Sequence, residues 1–365
     1  MNQNDCSGKT LKLWPVFVDH YMGTYMLLNI KNIETRPSIN AGKSYHKHKL
    51  KIRIDKATLV SSFSNKNEKI KIHSALRNCN KSKNNKYIIT HTKLKEGHPY
   101  KKAINIFSRE KTKSLLLHID YSPVNKKTGS IRFDFRPQHL NDNEFKELLE
   151  WMQSQFGKAI IKTISRSWIT QIDVALDIYD CNLKDYLWSL KNAGVSEYFH
   201  QKNGLPGLRL GSVRSKISIL CYEKIYIRRR DFDSLKSEGK YVEVNNDYNP
   251  LLRIEARFKP KILLQDKKDK ALLLKDISSM ENPFLRLIIY NNMMQENLIK
   301  KNYLQCKLKT SDVNVIKKKM KKRLKLSRHS LAVIEQSKID LIDRDKIWEK
   351  WELCIDRFKY FKVEY

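Results

Sequence analysis

The clearest periodic signal lies between residues 111 and 265. Ser114–Tyr121 (SLLLHIDY) and Ser130–Arg136 (SIRFDFR) read as two strands of a hairpin with a longish loop, and Pro137 closes the second. A helix is expected over about Asn143–Phe156. Asp142 can cap it, Glu144, Glu147 and Glu150 lie toward its start, Gly157 ends it, and Phe145, Leu148, Leu149 and Met152 recur at helical spacing. Trp168–Ile178 (WITQIDVALDI) alternates apolar and polar, the pattern of a half-buried strand. A short helix is expected over Leu183–Lys191. Leu208–Leu210 and Lys216–Lys224 (KISILCYEK) then form a second hairpin around Gly211-Ser212, residues 228–250 read as a charged loop, and Leu251–Phe258 (LLRIEARF) is a further strand.

The flanks are less regular. Residues 1–110 contain strand-like segments at Tyr25–Ile30 and Lys49–Ile54, and Lys/Asn/Ser stretches at Ser64–Lys69 and Asn78–Lys86 that read as loops. From about Asp269 the pattern is mostly helical, with a basic run at Lys317–Lys325 (KKKMKKRLK) and an aromatic segment at Trp348–Tyr365. The expected class is α+β: a β-rich region of unassigned role over 1–110, an antiparallel-sheet domain flanked by helices over 111–265, and a helical basic region over 266–365.

Charge sharpens this picture. Seventy-two Lys and Arg stand against 39 Asp and Glu, a net +33 over 365 residues. Such an excess opposes compaction unless a polyanion neutralises it, and it points to nucleic acid as a partner. With 41% hydrophobic residues, including 17 Tyr, 13 Phe and 6 Trp, the chain has material for a core, which argues against wholesale disorder. No run of eighteen apolar residues marks a membrane span, and the polar first ten residues lead to no signal-peptide core, so a cytoplasmic location is expected. The six cysteines are scattered without a CxxC pair, as expected of reduced thiols rather than a zinc site or a disulfide framework.

Alternate residues of a strand share a face, so the three best strands can be laid side by side. Ile172, Val174, Leu176 and Ile178 point one way, Asp173 and Asp177 the other. Leu252, Ile254, Ala256 and Phe258 form an apolar side, leaving Arg253, Glu255 and Arg257 opposite; Tyr222 and Lys224 share a face of their own strand. If the strands pair, carboxylates able to hold a hard cation lie near a tyrosine that can act as a nucleophile, with a lysine two residues on to contact phosphate or lower the tyrosine pKa. This chemistry suits phosphodiester cleavage. Other motifs carry less. His46-Lys47-His48 has a lysine where a metal-binding pair on one strand face is flanked by an apolar residue, His118 and Asp120 share a strand face, and Ser7-Gly8-Lys9-Thr10 lacks the first glycine of a phosphate loop.

Taken in order, Ile-Asp-Val-Ala-Leu-Asp (172–177), Gly-Ser-Val-Arg-Ser (211–215), Cys-Tyr-Glu-Lys (221–224) and Arg-Ile-Glu-Ala-Arg (253–257) resemble the rolling-circle replication initiators: the phage gene II-type endonucleases and the phage and plasmid replication initiation factors, with related conjugative relaxases. Phe135-Arg136-Pro137-Gln138-His139-Leu140 resembles their upstream strand-to-helix turn. The resemblance covers roughly residues 113–265. It implies a site-specific nicking and joining enzyme that forms a 5′-phosphotyrosine, with Tyr222 as nucleophile, Asp173 and Glu255 as ligands of Mg²⁺ or Mn²⁺, and Lys224 as a phosphate-side cation. The partners it implies are origin DNA, with host helicase and polymerase. One departure is Gln171, where an arginine usually precedes Ile-Asp; another is Tyr226, a second tyrosine four residues after Tyr222. The cations expected to meet nucleic acid are Arg214, Arg228, Arg229, Arg230, Arg253, Arg257, Lys317, Lys318, Lys319, Lys321, Lys322 and Arg323. The alternatives are a relaxase with the same chemistry and a DNA-binding replicon regulator without it.

Overall fold

The structure is a computed structural model, which describes residues 17–20, 23–29, 36–79, 86–109, 114–125, 128–201, 205–226, 241–244, 249–260, 271–322 and 326–361. Its class is mixed α+β, built on one large antiparallel sheet. In chain order that sheet takes β3 (Ile39–Lys43), β4 (Lys49–Ser61), β5 (Tyr87–Thr92), β6 (Tyr100–Ser108), β7 (Leu115–Pro123), β8 (Ile131–Phe135), β9 (Trp168–Tyr179), β11 (Ser196–His200), β12 (Pro206–Leu210), β13 (Ile217–Tyr226) and β15 (Asn249–Phe258). Across the sheet the order is β11-β12-β13-β15-β9-β4-β8-β7-β6-β5, and β3 pairs with the first half of β4. Two small sheets accompany it. One joins β1 (Phe17–His20), β2 (Gly23–Asn29) and β14 (Tyr241–Val244), and the other joins β10 (Tyr186–Leu190), β16 (Leu287–Asn291) and β17 (Lys338–Ile339).

Strands from both sides of residue 110 therefore share one sheet. The central strand β4, from the N-terminal region, pairs with β9 along most of its length and with β8 at its end. The two faces of the sheet differ sharply. One is apolar: Ile54, Ala57, Leu59, Phe133, Phe135, Ile172, Val174, Leu176 and Ile254 are all buried in the main core. Over that core lie α1 (Lys66–Asn78), α2 (Asp142–Phe156), α3 (Lys158–Ser165) and the C-terminal segment Trp351–Phe361. Phe135, Phe145 and Phe361 meet ring to ring at 5.3–6.0 Å. The expected aromatic tail is thus core in its described part, not a surface platform. The opposite face carries the charged side chains.

Several local expectations are corrected. The helix expected at Leu183–Lys191 is one 3-10 turn, Leu183–Asp185, followed by strand β10. Every residue of β10 is buried, so no alternation marks it as a strand. The loop expected at Ser64–Lys69 instead starts α1, capped by the Asn65 side chain, which accepts from the Glu68 backbone N–H. Helix α2 is capped one residue earlier than expected. Asn141 and Glu144 exchange side-chain bonds with each other's backbone N–H, and Asp142 is the first helical residue. The C-terminal part contributes strand β16 among its helices, and Tyr241–Val244, within the expected 228–250 loop, is strand β14.

Candidate active site

The site lies on the charged face, where the register of β4, β9, β15, β13 and β12 sets three transverse rows. In the first, Lys51 lies opposite Asp177, Asp177 opposite Arg253, Arg253 opposite Tyr222, and Tyr222 opposite Gly207. In the second, Arg53 faces Ala175, Ala175 faces Glu255, and Glu255 faces Leu220. In the third, Lys56 faces Asp173, Asp173 faces Arg257, and Arg257 faces Ser218. A bulge in β4 between Ile54 and Lys56 adds Asp55 to the same surface. The expectation that Asp173, Asp177, Tyr222, Lys224 and Glu255 share one sheet face agrees with this register.

Tyr222 donates its hydroxyl to Glu255 Oε2 at 3.0 Å. Arg257 donates Nε and Nη2 to the two oxygens of Asp173, both at 3.0 Å, and the same Nη2 reaches Glu255 Oε1 at 3.3 Å. Asp173 also accepts from Gln171 Nε2 at 2.9 and 3.0 Å, so the residue that departs from the initiator pattern is a neutral clamp on the expected ligand. The four groups form one chain: Tyr222 to Glu255 to Arg257 to Asp173. The Lys224 ammonium lies 5.7 Å from the centroid of the Tyr222 ring.

Burial decides the protonation states. It raises the Glu255 pKa to about 7, helped by the negative charges of Asp55 and Asp173 and opposed by Arg257 and the Tyr222 hydrogen bond. Burial also pushes the Tyr222 phenol well above its ordinary value of 10, with the Glu255, Asp55 and Asp177 carboxylates adding to the shift. The tyrosine is therefore neutral at physiological pH. It touches a carboxylate whose pKa suits it to take a proton there.

The arginines of the RIEAR strand divide into two roles. Arg257 keeps 23% of its side chain exposed. Arg253 has no exposed surface; its guanidinium donates to Asp177 at 2.6 and 2.8 Å and lies 3.7 Å from Asp55. Its expected contact with nucleic acid is corrected: it is a buried cation paired with Asp177. Among the other expected cations, Arg214 is exposed on the turn between β12 and β13. Lys318, Lys319, Lys321 and Lys322 are exposed on the helix Val313–Lys322, with Lys317 half-buried. That helix adjoins the β11 edge of the sheet, where Asp312 and Asn314 bond Ser196 and the Ala193 carbonyl. Arg228, Arg229, Arg230 and Arg323 lie outside the described residues, as do the side chain of Tyr226 and the Ser7–Thr10 motif.

Two histidine motifs sit elsewhere. His118 Nε2 meets Asp120 Oδ1 at 2.9 Å on β7, four strands from β15 and so roughly 19 Å away. His46 and His48 both bond the Tyr186 hydroxyl, at 2.6 and 3.4 Å, and tie the β3–β4 turn to β10. Among the described residues, no group of three or more His, Cys, Asp or Glu side chains is placed to hold a metal ion. Asp173 and Glu255 do converge on one positive atom, Arg257 Nη2, which stands where a shared cation would. Two carboxylates completed by water or phosphate oxygens suit a hard cation such as Mg²⁺ by their chemistry, and here the Arg257 guanidinium takes that place.

No protein-family model matches the sequence, and no curated protein matches it. A comparison with solved structures finds the rolling circle replication initiator protein from Geobacillus stearothermophilus, 13% identical, with a TM-score of 0.29. The matched region covers 57% of this chain and 74% of that one. Among the described residues, no helix is long and apolar enough to cross a membrane.

Proposed function

We propose that this protein initiates rolling-circle replication of a phage or plasmid by nicking one DNA strand and later rejoining it, with Tyr222 as the nucleophile. The observation that carries the reading is the bond from the Tyr222 hydroxyl to Glu255, a carboxyl whose pKa is about 7, on a sheet face lined with cations. The order of the IDVALD, GSVRS, CYEK and RIEAR segments supports it independently.

Tyr222 Oη attacks the scissile phosphorus while its proton passes to Glu255 Oε2. The bond from phosphorus to the 3′ oxygen breaks, that oxygen takes a proton from water, and a free 3′-hydroxyl primer and a 5′-phosphotyrosine on the enzyme remain. In the rejoining step a 3′-hydroxyl attacks that phosphotyrosine and gives its proton to water, the phosphorus–oxygen bond to Tyr222 breaks, and Glu255 returns a proton to the tyrosine oxygen. Arg257 and Lys224 offset the charge that develops on the phosphate oxygens. Asp173 holds Arg257 in place for this, and Gln171 holds Asp173. Held by Asp173 and Glu255 in place of the Arg257 guanidinium, a Mg²⁺ or Mn²⁺ ion would supply that positive charge and polarise the scissile phosphate. Origin DNA is the proposed substrate, a host helicase and polymerase are the proposed partners, and the bacterial cytoplasm is the proposed setting.

The test is a nicking assay on supercoiled DNA of the parent replicon, with Mg²⁺ or Mn²⁺, for wild type and Tyr222→Phe. Open-circle product and a denaturant-resistant protein–DNA adduct are both scored. Wild type is expected to give both, and Tyr222→Phe neither. Equal nicking by the two proteins would remove Tyr222 as the nucleophile. Tight binding without nicking by either would favour a DNA-binding regulator.

A further inference from the structure

The row that contains Tyr222 runs on to the edge of the sheet. Tyr222 lies opposite Gly207 on β12, and Gly207 lies opposite Phe199 on β11. Paired residues of antiparallel strands share a face, so all three stand on the charged side. Phe199 is half-buried, and its ring is folded over Gly207. A Cβ added at Gly207 would meet Phe199 Cζ at 2.4 Å, Cε2 at 2.6 Å and Cε1 at 2.9 Å. Only glycine leaves room for the ring in this position. The Phe199 backbone thus lies two strands, or roughly 10 Å, from that of the nucleophile, and its ring sits over the strand between them, on the side away from Arg253.

We propose that Phe199, seated on Gly207, is a stacking platform for a base of the single strand that Tyr222 cleaves. The inference rests on the nicking reading and adds a nucleic-acid subsite to it. Single-strand binding sites combine cations that follow the backbone with aromatic faces on which bases stack. Here Lys224 supplies a cation on the same face, and a chain with a net charge of +33 attracts the strand. Base stacking tolerates any base, so the platform holds the strand while other contacts choose the sequence. An aromatic ring over a glycine also steadies a sheet by itself, so the test needs a readout that stability does not move.

The probe is a thymidine oligonucleotide of about 12 nucleotides carrying one 2-aminopurine. It is titrated with wild type, Phe199→Ala, Phe199→Leu and Phe199→Tyr, each checked for folding by circular dichroism. Phe199→Leu keeps an apolar side chain but no aromatic face; Phe199→Tyr keeps the face. The Ala and Leu variants are expected to bind roughly 5- to 150-fold more weakly and to lose the 2-aminopurine quench, while the Tyr variant keeps both. If Phe199→Ala does not fold, the Leu and Tyr pair decides. Wild-type affinity and quench in Phe199→Leu overturn the proposal, and a persisting Tyr222-dependent adduct would then leave the nicking reading intact. Absence of that adduct in wild type sinks the nicking reading instead, whatever the quench shows.

Discussion

Replacing Glu255 with glutamine separates the base from the hydrogen bond. The glutamine carbonyl still accepts from the Tyr222 hydroxyl, so the 3.0 Å contact has a replacement, but nothing there takes a proton. A positioned base contributes about 10²–10⁴-fold to such a step, and nicking by Glu255→Gln at pH 8 is expected to fall by that factor with DNA affinity unchanged. The pH profile gives a second signature. In wild type at limiting metal the carboxyl is ionised only above its raised pKa of about 7, so the single-turnover rate climbs toward pH 7 and levels beyond it. In the variant that limb disappears. The glutamine also removes one of the negative charges that hold the phenol up, so activity recovers only in alkaline solution as the tyrosine itself ionises. The assay is single-turnover formation of the protein–DNA adduct from pH 5.5 to 10. A limb near pH 7 that survives in Glu255→Gln would refute the reasoning, and so would a loss of rate matched by an equal loss of binding.

Four further outcomes follow from the structure. Arg257 lowers the Glu255 pKa, so Arg257→Gln is expected to move the rate limb above pH 7; an unmoved limb would show that Arg257 does not act on the base. Burial holds the folded-state pKa of Glu255 above its ordinary 4.5, so the folded protein binds that proton more tightly. Stability from this group is full below about pH 4.5 and is lost as pH rises through about 7, a slope that denaturation of Glu255→Gln should lack. Arg253→Met leaves Asp177 and Asp55 buried without that cation and is expected to cost about 3–5 kcal/mol in urea denaturation; a loss below about 1 kcal/mol would show that Arg53 alone compensates. Changing Lys318, Lys319, Lys321 and Lys322 to Gln is expected to flatten the slope of log affinity against log salt for single-stranded DNA by about 3, and an unchanged slope would remove that helix from the interface.

Much of the site was legible because its logic is local. The alternation in WITQIDVALDI and LLRIEARF places Asp173, Asp177, Arg253, Glu255 and Arg257 opposite the core whatever strands lie beside them, since successive side chains of a strand must point to opposite faces. Capping chemistry located α2 to within a residue for the same reason. Where the local signal is silent, the reading failed. Strand β10 has no polar face to betray its period, and α1 has only Ile72 and Leu76 buried among lysines and asparagines that also suit a loop.

Register and neighbours belong to the tertiary structure alone. Alternation marks Arg253 and Arg257 alike as polar-side residues. Only the placement of β9 and β4 beside β15 encloses Arg253 between Asp177 and Asp55 while leaving Arg257 partly open to solvent. The bulge that brings in Asp55 and the Gln171 clamp on Asp173 are likewise absent from any motif. The raised Glu255 pKa arises from burial among groups drawn from several strands. So does the row from Lys51 through Asp177, Arg253, Tyr222 and Gly207 to Phe199, whose members lie up to two hundred residues apart. Alternation is a property of one strand, but pairing is a choice among many, decided by how the apolar faces of all the strands close together over one core.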